Sequence, residues 1–529
     1  MMDGMGMADG AAHAMAGIPT WMAIGAVGVI ILASHLLLTR DGDRAKGGSE
    51  RAGGGRTNQK GEVPLYSRLG LLGVGPLKRM VRLSFFPILV QSLSILIFLG
   101  ILGAGIFGSQ RYNIATVLTW TWWWALLIFV ILVVGKGFCA ICPWEGLASL
   151  VTSLSLRSRI KQIGFELKWP EWGRNLYPAL ILFVILTWFE LGYDATHSPS
   201  TTAIMGMAMA GMAILSAMVF EKRGYCRYAC LVGRVSGLYA QFSPLELRPT
   251  SRSVCNSCQT VDCVKGNDTA TGCPTGLFPG HILENTYCTL CTECIRGCPH
   301  DNLDINMRPP ATDLLRSKRR YRWDEAVMAM VLLALTSFHG MTMTQNWASV
   351  TDWLRVQTGL GQLPVFTALM VVLVLLPLFV FWIGAEASRL LAGDSSATSG
   401  WIFRYVANAV LPVALFYHLA HNGMHFFTEA QNLIPLLSDP LGFGWNLFGT
   451  AGIVYAPLLS LQTIWWIQVA LIVTGHIFSV AVASRIGRTL FTTRRIALRG
   501  LTPLVFTMVL YSSFSIWLIA QPMVMRSGM

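Results

Sequence analysis

Charged residues are scarce in this sequence. Only 13% of its 529 residues are Asp, Glu, Lys or Arg, and 53% are hydrophobic, whereas soluble domains carry about 25% charged residues. This composition excludes a water-soluble globular protein. Acidic residues are fewer than basic ones, with 27 Asp and Glu against 40 Lys and Arg, so the formal net charge is +13. Such a charge suits nucleic acid or a membrane, and the positions of the basic residues decide between them.

Long hydrophobic runs accompany the shortage of charge. A helix that spans a bilayer needs about 20 apolar residues, and the runs found here predict an all-α polytopic membrane protein with about ten transmembrane helices. The first run has no basic residues before it, so it is expected to be a membrane span rather than a cleaved signal peptide. The predicted spans are residues 18–38, 83–107, 115–135, 176–193, 201–220, 326–343, 364–384, 401–426, 462–483 and 501–520.

The basic residues are distributed asymmetrically about these runs. When the predicted spans are threaded through a membrane, 37 of the 40 Lys and Arg residues fall on one side. Cytoplasmic loops carry such an excess, so the arrangement predicts a multi-pass protein of the bacterial inner membrane with both termini in the periplasm. The net charge then reflects topology, and no nucleic-acid partner is expected.

Cysteine is concentrated in one long hydrophilic insertion, residues 221–325, which is expected in the cytoplasm. The run from Cys288 to Pro299 has the C-x2-C-x2-C-x3-C-P spacing of half a bacterial ferredoxin, and the looser run from Cys255 to Pro274 also ends in Cys-Pro. In the ferredoxin pattern the last cysteine of each run binds the cluster of the other run. The insertion is therefore predicted to be a bacterial-type 2[4Fe–4S] ferredoxin segment. One cluster is expected on Cys255, Cys258, Cys263 and Cys298, and the other on Cys288, Cys291, Cys294 and Cys273.

Zinc and disulfide bonds are the alternatives for these eight cysteines. Structural zinc favours paired C-x2-C units, which a tight run of four cysteines ending in Cys-Pro does not resemble. Disulfides are disfavoured in the reducing cytoplasm. The spacing thus favours iron–sulfur clusters.

The other four of the 12 cysteines form two pairs, Cys139 with Cys142 and Cys226 with Cys230. Each pair directly follows a predicted span that ends on the cytoplasmic side, so both pairs are expected at the membrane surface beside the insertion. Four such thiols can hold a third metal centre or act as dithiols in redox exchange. The alternative is that they are small buried residues at helix ends.

This order of cysteines resembles that of the membrane-bound 4Fe-4S polyferredoxins. That family includes the quinol-dehydrogenase membrane subunit of periplasmic nitrate reductase, the nitrous-oxide-reduction membrane regulator and the cupric-reductase protein of cytochrome oxidase assembly. The resemblance covers roughly residues 83–310. It implies electron transfer between quinone, cytoplasmic clusters and a periplasmic acceptor. The family's usual short motif is Cys-x3-Cys-Pro, whereas here the first pair is one residue shorter and Leu231 follows the second.

Histidines cluster in the second half of the predicted bundle. Ionisable side chains inside a membrane indicate function by default. They could be axial ligands of b-type haem, ligands of copper or another metal, or hydrogen-bonding groups between helices. At 100° per residue, His418 and His425 should share a helix face. The histidines concerned are His339, His418, His421, His425 and His476.

Three further features have both functional and ordinary interpretations. Glu190 and Asp194 could accept protons at a quinone site, or could be solvated carboxylates at the membrane rim. The Met-rich start of the chain could bind Cu(I), or could be an ordinary disordered tail. The preferred interpretation of the tryptophans in residues 119–124 is an aromatic belt at the membrane interface. The second interpretation is a surface on which a quinone stacks.

These features divide the chain into regions. The Gly-rich, charged stretch 41–62 is expected to be disordered. The predicted regions are a Met-rich outer tail (1–17), a first span (18–38), a basic cytoplasmic linker (39–82), spans two to five with a Cys-pair loop (83–220), a cytoplasmic ferredoxin-like domain (221–325), and spans six to ten with a His cluster (326–520).

The function expected first is membrane electron transfer, with the chain as an oxidoreductase subunit resembling quinol dehydrogenases. Its expected partners are membrane lipid, quinone, and a periplasmic or membrane redox subunit. Residues 427–461 contain no Lys or Arg and are a candidate docking surface. The alternatives are a membrane copper reductase or assembly factor for a respiratory metalloenzyme, and a transporter with regulatory iron–sulfur clusters.

Overall fold

The structure is a computed structural model that describes most of the chain. The Met-rich start and most of the basic linker lie outside the described residues, so the expectations for both stay untested. The described residues are 14–40, 69–73, 75–83, 85–153, 163–316, 321–393, 397–491 and 493–524.

Helices dominate the described part of the chain. Most of the long helices begin close to the start of a predicted hydrophobic run, and several extend beyond its end. Among the described residues, nine helices are long and apolar enough to cross a membrane. In chain order the principal helices are α1 (Thr20–Arg40), α2 (Gly75–Arg82), α3 (Phe85–Phe107), α4 (Ile114–Ser153), α5 (Tyr177–Gly192), α6 (Pro199–Val219), α7 (Leu231–Tyr239), α8 (Trp323–Thr342), α9 (Gln345–Thr358), α10 (Gln362–Ala392), α11 (Ser399–Ser438), α12 (Leu461–Leu490) and α13 (Arg494–Ile519).

The span predicted at 176–193 is shorter than the others. It forms α5, which has 16 residues and is therefore about 24 Å long at 1.5 Å per residue, against a hydrocarbon core of about 30 Å. The other nine predicted runs coincide with the nine long helices. The fold is that of a multi-pass, helical membrane protein.

Helix α4 extends well beyond the predicted run at 115–135. It includes a π-helical stretch, Val117–Trp124, and a 3-10 turn, Gly135–Ala140, before it continues from Pro143. Gly135 makes this break possible because it has a φ of +62° and its Cα lies against Ala240, where a Cβ would come within 2.9 Å of the alanine methyl. The break carries the first cysteine pair to the end of the bundle.

The core of the bundle lies around α8 and α11. Nearly every residue from Ile402 to His425 is buried, because α11 packs against α4, α8 and α12. A helix that is apolar around its whole circumference belongs in such a position. The three histidines of α11, His418, His421 and His425, are therefore buried as well.

The insertion between α6 and α8 carries a small antiparallel sheet with strand order β2–β4–β3. These strands are Leu69–Gly70 (β2), Leu245–Pro249 (β3) and Leu303–Met307 (β4). Strand β2 and α2 come from the region predicted to be a linker. Helix α2 is joined to the insertion by ion pairs from Lys78 and Arg82 to Asp301. Residues 69–73 and 75–83 thus belong structurally with the insertion.

Both described chain ends lie at the same end of the bundle. Strand β1 (Ala14–Met15) pairs with β5 (Met523–Val524), and Thr344, just after α8, bridges to Met523. Helix α8 begins at the insertion and ends at this bridge. We call the insertion side of the bundle the cysteine end and the other side the opposite end. The predicted topology also places both termini on one side and the cysteines on the other.

Candidate functional site

The structure brings together the four cysteines predicted to hold the first cluster. Burial raises the pKa of Cys263 to about 12, and the neighbouring thiols of Cys298, Cys255 and Cys258 contribute to this increase. Asn302 donates hydrogen bonds to two of these sulfurs, from its side-chain amide to Cys255 Sγ at 3.3 Å and from its backbone N–H to Cys298 Sγ at 3.4 Å. Cys298 therefore lies with the cysteines of the first run, as the crossed pattern requires.

The second predicted group lines a small cavity of its own. Burial raises the pKa of Cys291 to about 12 and that of Cys294 well above its ordinary value, and the neighbours that raise the Cys294 pKa further include Cys288 and Cys273. The backbone N–H of Leu277 donates to Cys273 Sγ at 3.2 Å. The cavity is largely apolar, and its lining includes Leu247, Leu277, Pro279, Ile282, Leu290 and these four cysteines.

Both groups fit the four-cysteine ligand set of a [4Fe–4S] cluster. Thiolates are the metal-binding form of cysteine, and burying several of them without a compensating cation is unfavourable. Among the described residues, no group of three or more His, Cys, Asp or Glu side chains is arranged around a single metal ion. A cubic cluster uses its thiolates differently, because each one binds a different iron.

The two cysteine pairs meet in one pocket at the cysteine end. Cys139 and Cys142 reach it from the break in α4, and Cys230 reaches it as the N-cap residue of α7, where its Sγ accepts a hydrogen bond from Gly233 N–H at 3.4 Å. Cys226 lies on the π-helical turn Tyr225–Ala229 that precedes it. All 12 cysteines are free thiols. The pocket is also lined by residues of the insertion, among them Thr271, Thr275, Thr289, Cys291 and Glu293.

A buried lysine, Lys136, lines this pocket. The role of this lysine could not be predicted from the sequence. Lys136 is 1% exposed, and its Nζ has no hydrogen-bond partner in the part of the chain that the structure describes. Its electrostatic neighbours are Cys139, the buried Arg234, Cys226 and Cys230. In the sequence it is an ordinary lysine after an apolar run, which indicates only topology. The structure makes it a cation among thiols.

A network of buried charges lies beside the second cysteine group. Arg308 pairs with Glu246 at 3.1 Å and with both oxygens of Asp313, and Arg248 pairs with Glu246 at 3.4 Å. Burial raises the pKa of Asp313, but Arg308 and Arg248 outweigh it, so the pKa of this carboxyl lies below its ordinary value. Arg248 also lies close enough to Cys288 to favour its thiolate.

Three of the predicted histidines form a row with two glutamates near the opposite end. Glu190 Oε1 lies 3.9 Å from His339 Nε2, and His425 Nδ1 lies 2.9 Å from Glu429 Oε1. The ring centres of His339 and His421 are 4.9 Å apart, and those of His421 and His425 are 5.1 Å apart. We call these five residues the His–Glu row. Sequence analysis missed Glu429, which lies one turn after His425 on α11.

The other two histidines are held by hydroxyl groups. His476 lies between Ser34 and Ser512, with each ring nitrogen 2.8 Å from a serine Oγ. His418 Nδ1 lies 2.6 Å from the Tyr239 hydroxyl, and its Nε2 lies 2.8 Å from Thr336 Oγ1. His418 and His425 share a helix face by geometry but contact different groups.

Neighbouring rings of the His–Glu row are too close together for a haem held between them. With metal–imidazole bonds of roughly 2 Å, two axial rings would have centres roughly 6 Å apart or more. The rings of the His–Glu row are closer than that, and His418 and His476 are hydrogen-bonded at both nitrogens. No haem is therefore proposed between neighbouring rings of the row, and the expectation of haem stays a prediction.

An apolar cavity of about 420 Å³ lies between α3, α4, α5 and α6. Such a volume suits a small organic ligand. Glu190 is the one ionisable side chain among its described lining residues, whereas Asp194 is 70% exposed and binds His197 at the surface. The predicted quinone pair is thus separated. The lining includes the tryptophans Trp120, Trp122, Trp123, Trp124 and Trp144.

The cavity and the cysteine sites adjoin one another. Trp144 and Val232 line both the apolar cavity and the pocket of the cysteine pairs. Cys291 lines both that pocket and the cavity of the second group. Cys263 of the first group is among the electrostatic neighbours of Cys294 in the second. The sites therefore form one continuous series from the membrane interior to the insertion.

Comparison with known proteins gives distant relatives only. A protein of Escherichia coli strain K12, named "Putative electron transport protein YccM", is 24% identical over 232 residues, which are 39% of this chain and 60% of the relative. An uncharacterized protein of Methanocaldococcus jannaschii is 24% identical over 184 residues, which are 34% of this chain and 68% of the relative. No family model and no solved structure matches.

These matches support a relationship to electron-transport membrane proteins. The chain spans about 60% of the length of the Escherichia coli relative. The assignment to the polyferredoxins stays a prediction from the cysteine order.

Proposed function

We propose that this protein is a membrane electron-transfer protein, acting as an oxidoreductase subunit that exchanges electrons between quinone and iron–sulfur clusters. The observation that carries the proposal is the continuous series of sites from the apolar cavity through the cysteine-pair pocket to the two cysteine groups. Electron transfer needs redox groups placed in such a sequence. The name of the Escherichia coli relative, whose match covers a minority of this chain, points in the same direction.

The eight cysteines of the insertion would hold two [4Fe–4S] clusters, which supply one-electron chemistry when bound. Cys255, Cys258, Cys263 and Cys298 would hold one, and Cys288, Cys291, Cys294 and Cys273 the other. This chain's own contribution is to shield the second site with apolar side chains and to donate hydrogen bonds to the sulfurs from Asn302 and Leu277. Burial and such hydrogen bonds set cluster potentials.

The four thiols Cys139, Cys142, Cys226 and Cys230 would form a third redox centre between the cavity and the clusters. Lys136 supports an anionic occupant of this pocket, because a buried cation without a hydrogen-bond partner is costly unless a negative charge lies nearby. The two carboxylates that line the pocket, Glu145 and Glu293, already form ion pairs with Arg223 and Arg296. A metal–thiolate centre supplies that charge, whereas neutral thiols do not. A dithiol pair is the chemical alternative.

The apolar cavity would bind the ring of a quinone. Its tryptophans offer stacking surfaces, and Glu190 offers a carboxylate that can accept a hydroxyl proton of the quinol. Oxidation of a quinol releases two electrons and two protons, so the ring needs an electron acceptor on one side and a proton acceptor on the other. The third centre, separated from the cavity by Trp144 at the shared wall, would accept the electrons, and Glu190 on the same lining would accept a proton.

The orientation of the helix bundle in the membrane is proposed from the distribution of Lys and Arg residues. Because 37 of the 40 basic residues fall on the side of the insertion, the cysteine end would face the cytoplasm of a bacterial cell and the opposite end the periplasm. Exposed apolar side chains of α10, such as Phe379, would contact lipid. Phe448 and Val454, which are 72% and 97% exposed, would contribute to docking of a redox partner on residues 427–461.

Anaerobic mixing of the purified, cluster-loaded protein with a short-chain quinol tests this proposal. We expect the visible absorption of the oxidised clusters to bleach and iron–sulfur EPR signals to appear, as with dithionite. Bleaching by dithionite but not by quinols of different potentials would refute the quinone part of the proposal. Absence of iron and acid-labile sulfide would refute the cluster part.

A further inference from the structure

We infer that Glu190, His339, His421, His425 and Glu429 form a proton-transfer path between the apolar cavity and the opposite end of the bundle. The inference rests on the proposed quinone chemistry and goes beyond it, because it assigns a route to the protons. Quinol oxidation in an apolar cavity leaves two protons that the surrounding side chains must accept. Glu190 is the one described lining residue with an ionisable group in its side chain.

The path is contiguous and crosses three helices. Glu190 projects from α5, His339 from α8, and the remaining three residues from α11. The contacts run 3.9 Å from Glu190 to His339, 4.9 and 5.1 Å between successive ring centres, and 2.9 Å from His425 to Glu429. Each step lies within direct hydrogen-bond reach or the span of one bridging water. Histidine is suited to such a chain because it can accept a proton on one nitrogen while donating from the other.

The side chain of His425 provides independent support for a water molecule bound within the path. It is 5% exposed, and its Nε2 has no hydrogen-bond partner among the described residues, although its Nδ1 faces Glu429. Buried polar atoms are nearly always satisfied by protein or by ordered water. A water molecule at Nε2 would satisfy this atom and complete the connection towards His421.

The path ends where α11 reaches the opposite end. Glu429 Oε2 lies 3.3 Å from Thr121 Oγ1, and Glu429 lies close enough to Tyr112 to affect its hydroxyl. Tyr112 is half-buried, and the adjacent Arg111 is exposed. Protons reaching Glu429 would therefore arrive beside the surface loop that joins α3 and α4. The cysteine sites lie at the other end, so electrons and protons would leave the cavity in opposite directions.

The other titratable groups near the row do not continue it. His418 lies on α11 one turn before His421, but both of its nitrogens face hydroxyl groups of α7 and α8. Asp194 and His197 bind each other at the surface after α5. The balance of the reaction is thus one quinol oxidised to quinone, two electrons to the iron–sulfur centres, and two protons through Glu190 to the opposite end.

The test uses the full-length, cluster-loaded protein in anaerobic stopped-flow mixing with a short-chain quinol. His421→Gln and His425→Gln should slow quinol-driven reduction roughly 100-fold, the lower range for loss of a proton-transfer group. Reduction by dithionite and the affinity for quinol should not change, because neither requires the path. Added imidazole should restore part of the rate. His418→Gln is the matched control, since it removes a buried histidine of the same helix that lies outside the row.

The outcomes separate the inference from the proposed function. Rates for His421→Gln and His425→Gln within about twofold of the wild-type rate, with equal cluster content, would overturn the path alone. A wild-type protein that dithionite reduces and quinol does not would overturn the quinone chemistry and the path together. If His421→Gln assembles poorly, Glu429→Gln at the rim of α11 provides a second variant with the same expected slowing.

Discussion

The buried side chain of Lys136 lies beside the thiol of Cys139, three residues further along the chain, where α4 breaks at the cysteine end. The Lys136 Nζ has no hydrogen-bond partner among the described residues, so its charge has the surrounding thiols as its natural counterpart. This relationship leads directly to a redox prediction.

Replacement of Lys136 should lower the midpoint potential of the third centre. Loss of a positive charge next to a redox site disfavours the added electron, and low local dielectric makes the effect larger than in water. Lys136→Met is expected to shift the potential downwards by tens of millivolts, measured by EPR-monitored titration. Lys222→Met is the matched control, because Lys222 lines the same pocket but is less buried and better screened. Equal shifts in the two variants would contradict the assignment.

The third centre should be removable without loss of the other two. Cys226→Ser takes one ligand from the cysteine-pair pocket and none from the two groups of the insertion. We expect the EPR signals of the insertion clusters to persist while iron content falls and quinol-driven reduction stops. Ser257→Ala, near the first group but outside all three sites, should change neither. Loss of every signal in Cys226→Ser, in a protein that remains folded by circular dichroism, would show that the three sites are not independent.

Breaking the buried charge network should destabilise the junction between insertion and bundle. Asp313→Asn leaves Arg308 and Arg248 with less compensation for their charge, which typically costs about 3–5 kcal/mol for a buried pair. Asp301→Asn removes only exposed ion pairs with Lys78 and Arg82, worth roughly 1 kcal/mol or less. In thermal unfolding in detergent, the melting temperature of Asp313→Asn should be clearly lower than that of Asp301→Asn. Similar melting temperatures would contradict a structural role for the network.

The same carboxyl predicts an acid-sensitive contribution to stability. The pKa of Asp313 in the folded protein lies below its ordinary value, so its stabilising effect is complete above the unfolded-state pKa of about 3.9 and is lost as pH falls through the folded-state pKa. The difference in melting temperature between wild type and Asp313→Asn should therefore be constant at neutral pH and shrink in acid. A difference that grows in acid would contradict this sign.

Trp123 should contribute to quinone affinity. It lines the apolar cavity, and aromatic contacts are worth about 0.5–1.5 kcal/mol beyond area burial, so Trp123→Ala should weaken binding of a quinone analogue by roughly 2- to 12-fold. Trp353→Ala is the control, because Trp353 is 61% exposed on α9. Binding can be followed by isothermal titration. An unchanged dissociation constant for Trp123→Ala would place the quinone elsewhere.

The membrane helices could be predicted well from the sequence, and the cysteine groups could be proposed from it, because both depend on local patterns. Hydrophobic length alone places a span such as Pro199–Val219, and cysteine spacing alone assigns Cys298 to the first group. The two-residue strand Leu69–Gly70 has no periodicity to detect, so the sequence did not predict that this strand and helix α2 attach to the insertion.

Long-range packing determines what the sequence could not predict. Glu190 and Asp194 are four residues apart and were grouped, yet helix α5 ends between them and only Glu190 faces the cavity. Neither Lys136 nor Glu429 belongs to a recognisable sequence motif, and the role of each depends on which helices pack against it. The contacts of the histidines also depend on helix packing, which brings the rings of His339 and His421 together and hydroxyl groups to His476. The haem expectation stays a prediction.

The most direct test of the central claim is a dithionite-reduced minus oxidised optical spectrum of anaerobically purified protein, with iron, acid-labile sulfide and zinc assayed on the same sample. Two [4Fe–4S] clusters predict a broad visible bleach and at least about eight iron atoms and eight sulfides per chain. Cys258→Ser and Cys273→Ser should each diminish a different EPR signal. Stoichiometric zinc without sulfide, or a spectrum with no bleach, would contradict the account.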